Sequence, residues 1–78
     1  GMYVTPAARG TGAADAILAA LVDHARGRVR QLQLTVMADN LRARAFYERH
    51  GFTLYAVEPA SVRRGDSYDD EALMWRPL

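Results

Sequence analysis

The chain has 78 residues, half of them apolar and 24% charged, with no cysteine and a formal net charge of +1 at pH 7. This is one small domain of ordinary globular balance, so disorder and a strong nucleic-acid or membrane field are not expected. Disulfide staples, thiolate metal sites and cysteine nucleophiles are excluded, and no apolar run approaches the ~20 residues of a membrane span.

Gly1 before Met2 reads as an expression scar, and no signal-peptide pattern follows, so a soluble cytoplasmic protein is expected. Tyr3–Thr5 is a short β-prone stretch ended by Pro6. Ala7–Gly12 is small and glycine-containing, hence a loop. From Ala13 to about Arg26, the residues Ile17, Leu18, Leu21, Val22 and Ala25 recur at helical spacing. Asp15 near its start and Arg26 and Arg28 near its end suit the helix dipole, and Gly27 is placed to stop it. Leu32, Leu34 and Val36 alternate with Gln31, Gln33 and Thr35, the pattern of a strand.

Asp39 or Asn40 can cap a second helix running to about His50. Leu41, Ala45 and Phe46 share its apolar stripe, and Gly51 fits a left-handed C-terminal cap. Phe52–Glu58 reads as a strand. Pro59–Asp70 is polar and reads as a loop, with Gly65-Asp66 as a turn signal. Glu71–Arg76 reads as a last strand. The predicted order is strand, helix, strand, helix, strand, strand. That is an α/β fold in which the strand–helix–strand steps share one sheet and the last two strands pair antiparallel.

Arg9-Gly10-Thr11-Gly12-Ala13-Ala14 lies between a predicted strand and a predicted helix. Glycine and alanine let a ligand approach the backbone closely. First-turn N–H groups and the helix dipole favour an anion there, best matched by phosphate or pyrophosphate. The same residues also read as an ordinary tight turn. A dinucleotide fingerprint needs a third glycine and an acidic residue at a set distance, and neither is present. A P-loop needs lysine, and all ten cationic side chains here are arginine. The arginine usage itself reads as a bias of the source.

The stretch Asn40-Leu41-Arg42-Ala43-Arg44-Ala45-Phe46-Tyr47-Glu48-Arg49-His50-Gly51-Phe52 is more specific. Together with Val4-Thr5-Pro6 and the glycine loop, it resembles the GNAT superfamily of acetyl-coenzyme A-dependent N-acetyltransferases. Arg9, Gly12 and Ala14 fit that family's loop pattern. Asn40, Ala43, Phe46, Tyr47, Gly51 and Phe52 fit its helix pattern, and Asp70–Met74 looks like its last strand. The resemblance covers essentially residues 1–78, read as a single partial domain: a truncated acyl-CoA N-acyltransferase fold of β-α-β-α-β-β order, with a mixed sheet and two helices.

The resemblance implies the following expectations. Backbone groups near Val4 pair with the pantetheine arm of acetyl-CoA. The amides of Arg9, Gly10, Thr11, Gly12, Ala13 and Ala14 hold its pyrophosphate, and Asn40 contacts the arm. An amine attacks the thioester directly, and Tyr47 gives a proton to the leaving thiolate as general acid. No metal is implied. Each residue also has a plainer reading: Tyr47 as a half-buried aromatic, Asn40 as a helix cap, Phe46 and Phe52 as core, and Arg42, Arg44 and Arg49 as a solvated face. Any one of those arginines, or of Arg26, Arg28 and Arg30, is a candidate for the ribose phosphate.

The chain departs from the family pattern by opening at the end of the strand before the loop. The part that usually builds the acceptor site is not in this sequence. Glu58, Asp66, Asp69 and Asp70 are candidates for a general base by chemistry alone. An unpaired first-strand edge and an under-covered first helix point to a homodimer that completes the sheet. An inactive coenzyme A-binding or assembly module is the alternative to an active acetyltransferase. Nucleic acid and membrane are not expected as partners.

Overall fold

The computed structural model describes residues 12–78. Its elements in chain order are α1 (Ala13–Ala25), β1 (Gln31–Met37), α2 (Leu41–Arg49), β2 (Thr53–Arg64) and β3 (Ser67–Pro77). The expected strand at Tyr3–Thr5 lies outside the described residues.

β3 lies between β1 and β2 and is antiparallel to both. β1 and β2 therefore run parallel without touching, and α2 carries the chain from one to the other across the width of β3. The expected antiparallel pairing of the last two strands is present. The parallel pairing that would make the sheet mixed involves the first strand, outside the described residues.

Register explains which residues form the core. Leu34 stands opposite Met74 and Val36 opposite Ala72, while Leu54 flanks Met74 on its other side. These residues share one face, because side chains alternate along a strand. Leu18 and Val22 of α1 close onto that face with Phe52, and Phe46 and Tyr47 of α2 pack against the same cluster. Both helices thus cover one side of the sheet. Leu18 and Met74 are fully buried, and truncating a side chain of this kind to alanine costs ~2–5 kcal/mol. Ala72 is also fully buried, which leaves the helices room to approach β3.

The expected stripe of α1 divides in two. Leu18, Val22 and Ala25 are buried, whereas Ile17 and Leu21 remain 50% and 47% exposed. Leu41, placed on the apolar stripe of α2 by its spacing, is 68% exposed. It follows directly on the Asn40 cap, so it lies at the edge of the stripe, where the core does not reach.

The expected loop over Pro59–Asp70 is corrected by the structure. β2 continues to Arg64 and β3 begins at Ser67, so only Gly65 and Asp66 form the turn. Gly65 has φ of 57°, which fits glycine at the first position of a two-residue hairpin turn. The polar sequence hid this because its breaks are absorbed by a bulge: Glu58 pairs with Glu71 and Val62 with Asp69, so Pro59, Ala60 and Ser61 face Asp70 alone. Pro59 is tolerated because β2 is an edge strand. Ala60 takes φ of 51°, and its N–H donates to Asp70 Oδ1 at 2.7 Å. Ser61 Oγ donates to Glu71 Oε1, also at 2.7 Å. Side chains of β3 therefore hold the segment that leaves the ladder.

α1 and α2 are joined by a polar contact as well as by the core. His50 Nε2 lies 2.7 Å from Asp15 Oδ1, and an Arg49 nitrogen lies 3.7 Å from the same oxygen. The hydrogen bond to His50 is the main cause that holds the Asp15 carboxyl below its ordinary range; partial desolvation opposes it and Arg49 adds to it. A carboxyl with a lowered folded-state pKa adds stability that is complete above its unfolded pKa and is lost as pH falls through the folded value. The urea midpoints of wild type and Asp15→Asn should therefore differ most above about pH 5 and converge as the pH drops toward about 2. A constant gap across that range would show that the contact contributes through packing instead.

Candidate cofactor groove and active site

Gly12, the N-cap of α1, has φ of 82°. Among the described residues no atom lies within 4 Å of a Cβ built at Gly12. Ala13 and Ala14 follow with small side chains. Asp15 would repel an anion here, but its carboxylate is turned to His50 and Arg49. The first turn thus keeps the positive end of the helix dipole with its one acid partly neutralised. Of the loop residues expected to hold pyrophosphate, Gly12, Ala13 and Ala14 stand at this turn, while Arg9, Gly10 and Thr11, and Val4 expected beside the pantetheine arm, lie outside the described residues.

A groove of about 1090 Å³ runs beside this helix. Ile17, Leu18 and Leu21 form its α1 wall, and residues 32–37 of β1 form its floor. Asn40, Ala43 and Tyr47 supply the α2 wall, one helical face by their spacing. Phe52, Tyr55, Glu71 and Leu73 complete the described lining. The half-exposed apolar residues of α1 are therefore groove residues. The volume slightly exceeds the ~300–1,000 Å³ usual for small-molecule sites, which suits an extended ligand.

Asn40 caps α2 and lines the groove. Its Oδ1 accepts from the N–H of Ala43 at 3.1 Å, which caps α2. That leaves its amide NH₂ as the donor end beside the groove. The approach to α2 is held by Arg44, which donates to the carbonyl of Ala38 at 2.9 Å. Arg44 is thus not a purely solvated side chain.

Tyr47 is fixed by the end of its own helix. Gly51 takes φ of 87°, the N–H of Phe52 donates to the Tyr47 carbonyl, and that of Gly51 to the Glu48 carbonyl, each at 3.0 Å. This is the Schellman arrangement, whose usual apolar contact joins the residues at either end of the longer bond. Here that contact is the edge-to-face pair of Tyr47 and Phe52, with centroids 5.7 Å apart. Phe46 packs on the other side at 5.3 Å. The Tyr47 ring is therefore wedged between two aromatics while the residue lines the groove.

None of the acids expected as base candidates is among the described lining of the groove. Asp69 pairs with Arg64 at 2.6 Å, Asp70 accepts from Ala60, Asp66 sits in the hairpin turn and Glu58 is exposed. The carboxylate that does line it is Glu71, half-buried and held by Ser61. The sequence carried a signal for it: Glu71 continues the alternation that puts Leu73 and Trp75 on one face of β3. Among the described residues no group of His, Asp or Glu gathers in a metal-binding cluster.

Two helices on one face of a sheet whose third strand is inserted between the other two form part of the acyltransferase fold seen in solved N-acetyltransferases. The chain matches the ribosomal-protein-S18-alanine N-acetyltransferase from Escherichia coli at 30% identity and TM-score 0.89, over 100% of this chain and 51% of that one. It matches a GCN5-related N-acetyltransferase from Kribbella flavida at 29% identity and TM-score 0.82, over 96% and 46%. It also matches the microcin C7 self-immunity acetyltransferase MccE, solved with acetyl-CoA and AMP, at 19% identity and TM-score 0.87, over 100% and 44%. The chain thus spans about half the length of these structures. No curated protein sequence matches it significantly. The profile of the acetyltransferase (GNAT) family matches residues 1–52, and the chain belongs to that family.

Loss of the Asn40 cap should lower stability by ~1 kcal/mol, the usual cost of replacing such a cap by alanine. Asn40→Asp should restore most of it, since aspartate caps as well as asparagine. Equal urea midpoints for wild type and Asn40→Ala would show that the cap contributes nothing.

Proposed function

We propose that this chain carries the acetyl-CoA side of an N-acetyltransferase site and transfers the acetyl group to a primary amine by direct attack. The observation that carries the reading is the arrangement of Asn40 and Tyr47 on one wall of a groove next to the N-terminus of α1. The family supports the reaction class, and MccE with its bound acetyl-CoA supports the cosubstrate.

The residues present fit that cosubstrate. The turn from Arg9 to Ala14 is the expected seat of the diphosphate, with the dipole of α1 behind it, and backbone groups near Val4 are the expected partners of the pantetheine arm, as the family pattern implies. Asn40 offers its amide to the pantetheine arm, and the apolar walls from Ile17 and Leu21 exclude water from it. When bound, acetyl-CoA supplies an activated acyl group whose sulfur leaves as a thiolate. Tyr47 gives that sulfur the proton of its phenol hydroxyl as the carbon–sulfur bond breaks. Glu71 takes the proton that the amine sheds as the new carbon–nitrogen bond forms. Its charge also draws an ammonium group into the groove. The expected homodimer, in which a second copy completes the sheet at the edge of the first strand, belongs to the same reading; that strand lies outside the described residues.

Saturable binding of acetyl-CoA to the purified chain, measured by calorimetry, is expected; a folded sample that binds none would overturn the reading. Tyr47→Phe should lower transfer to a primary amine by ~10²-fold or more, with acetyl-CoA affinity nearly unchanged. Wild-type transfer by that variant would remove the general-acid role. Glu71→Gln should lower kcat/KM for the amine at least about tenfold with acetyl-CoA affinity nearly unchanged. Wild-type kcat/KM in that variant would exclude Glu71 as the base.

A further inference from the structure

On the opposite side of α1 from the groove lies a second cavity of about 350 Å³, and none of its lining residues lines the groove. Its charged residues come from three elements: Asp23 and Arg26 at the end of α1, Arg49 and His50 at the end of α2, and Arg76 near the end of β3. Three arginines therefore line one small space, with Asp23 as the carboxylate among its lining residues.

The contacts of these arginines leave their donors largely unused. Arg26 lies 3.9 Å from Asp23 and Arg49 lies 3.7 Å from Asp15, both beyond hydrogen-bond length. His50 is committed to Asp15. Arg76 is half-buried and makes no hydrogen bond or ion pair among the described residues. It lies flat against Gly51, where an added Cβ would come within 2.6 Å of its Nε. Gly51 thus serves twice, by its left-handed backbone and by leaving a bed for this side chain. Arg26 and Arg49 keep carboxylate neighbours at 3.9 and 3.7 Å, and Arg49 also sits over the Phe46 ring, so Arg76 is the one cation of this space with no such partner among the described residues. Arginine forks match the oxygens of a phosphate group in pairs.

We infer that this cavity is a binding site for the phosphate group of a phosphorylated small molecule, with Arg76 as its central ligand and Arg26 and Arg49 at its rim. The inference does not rest on the acetyltransferase reading, because the cavity shares no lining residue with the groove. The phosphate can come from a separate ligand or from the ribose phosphate of acetyl-CoA folded around α1.

The test is a titration of inorganic pyrophosphate into the 78-residue chain at low salt, read at the side-chain Nε–H signals of arginine by NMR. Saturable shifts at Arg26, Arg49 and Arg76 are expected. Arg76→Gln should weaken binding about tenfold to a hundredfold, as for loss of a hydrogen bond to a charged group. Arg26→Gln, at an exposed position, should weaken it less and tests the site even if Arg76→Gln does not fold. Shifts confined to the backbone of Gly12–Ala16, no saturable shift at the arginines, or wild-type affinity in Arg26→Gln and Arg76→Gln alike would overturn the proposal. Displacement by acetyl-CoA but not by its 3′-dephospho form would assign the phosphate to the cosubstrate. Simultaneous binding of pyrophosphate and acetyl-CoA would assign it to a separate ligand.

Discussion

The left-handed turn at Gly51 and the two hydrogen bonds that close α2 decide where three neighbouring side chains go. The bond from Phe52 to the Tyr47 carbonyl reverses the chain within one residue. Phe52 is thereby sent into the core, and Tyr47 is clamped against it at the groove. His50, the residue before the glycine, is delivered to Asp15 at the start of α1. A residue with a Cβ at this position would meet both a backbone penalty and the Arg76 side chain. Core, groove wall, helix–helix contact and cationic cavity thus share one short segment.

The second constraint is the place of β3. A strand inserted between β1 and β2 is covered by partners on both edges, so it carries the fully buried Ala72 and Met74. β1 and β2 are left as edges among the described strands. The edge at β2 is broken by its proline bulge, a feature that discourages further pairing. The edge at β1 runs as seven regular residues beside the groove, with Ile17 and Leu21 half-exposed nearby. The two edges therefore differ in kind: one is closed to pairing by its own sequence and the other stays regular.

Much of this was readable in the sequence where a local rule and a tertiary role coincide. The α1 stripe, the alternation of Gln31–Val36, the Asn40 cap and the Gly51 stop are each both locally preferred and used in the packing. The Asn40–Phe52 motif also gave the family, because cap, groove residues and glycine stop fall within a single helix. The long hairpin was not readable, because Pro59, Gly65 and four acids between Glu58 and Asp70 argue locally for a loop. Their breaks are repaired only by contacts across the sheet, from Asp70 to Ala60 and from Glu71 to Ser61. For Glu71 the alternation with Leu73 and Trp75 is legible, but which side chains it meets on the groove follows from a strand register that the sequence does not state. The cationic cavity was beyond reach, since Arg26, Arg49 and Arg76 converge only once three separate elements are packed.

The order of strands also governs how the chain can acquire its structure. β3 follows every other described element in sequence, yet both β1 and β2 depend on it for their backbone pairing. Until it is added, α1 and β1 have no sheet to close upon, and the helix-facing side chains of β1 remain in water. Such a topology places its decisive contacts at long sequence separation, which slows closure. On a ribosome the described sheet cannot close until β3 has emerged, which lengthens the time in which the apolar side chains of β1 can misassociate.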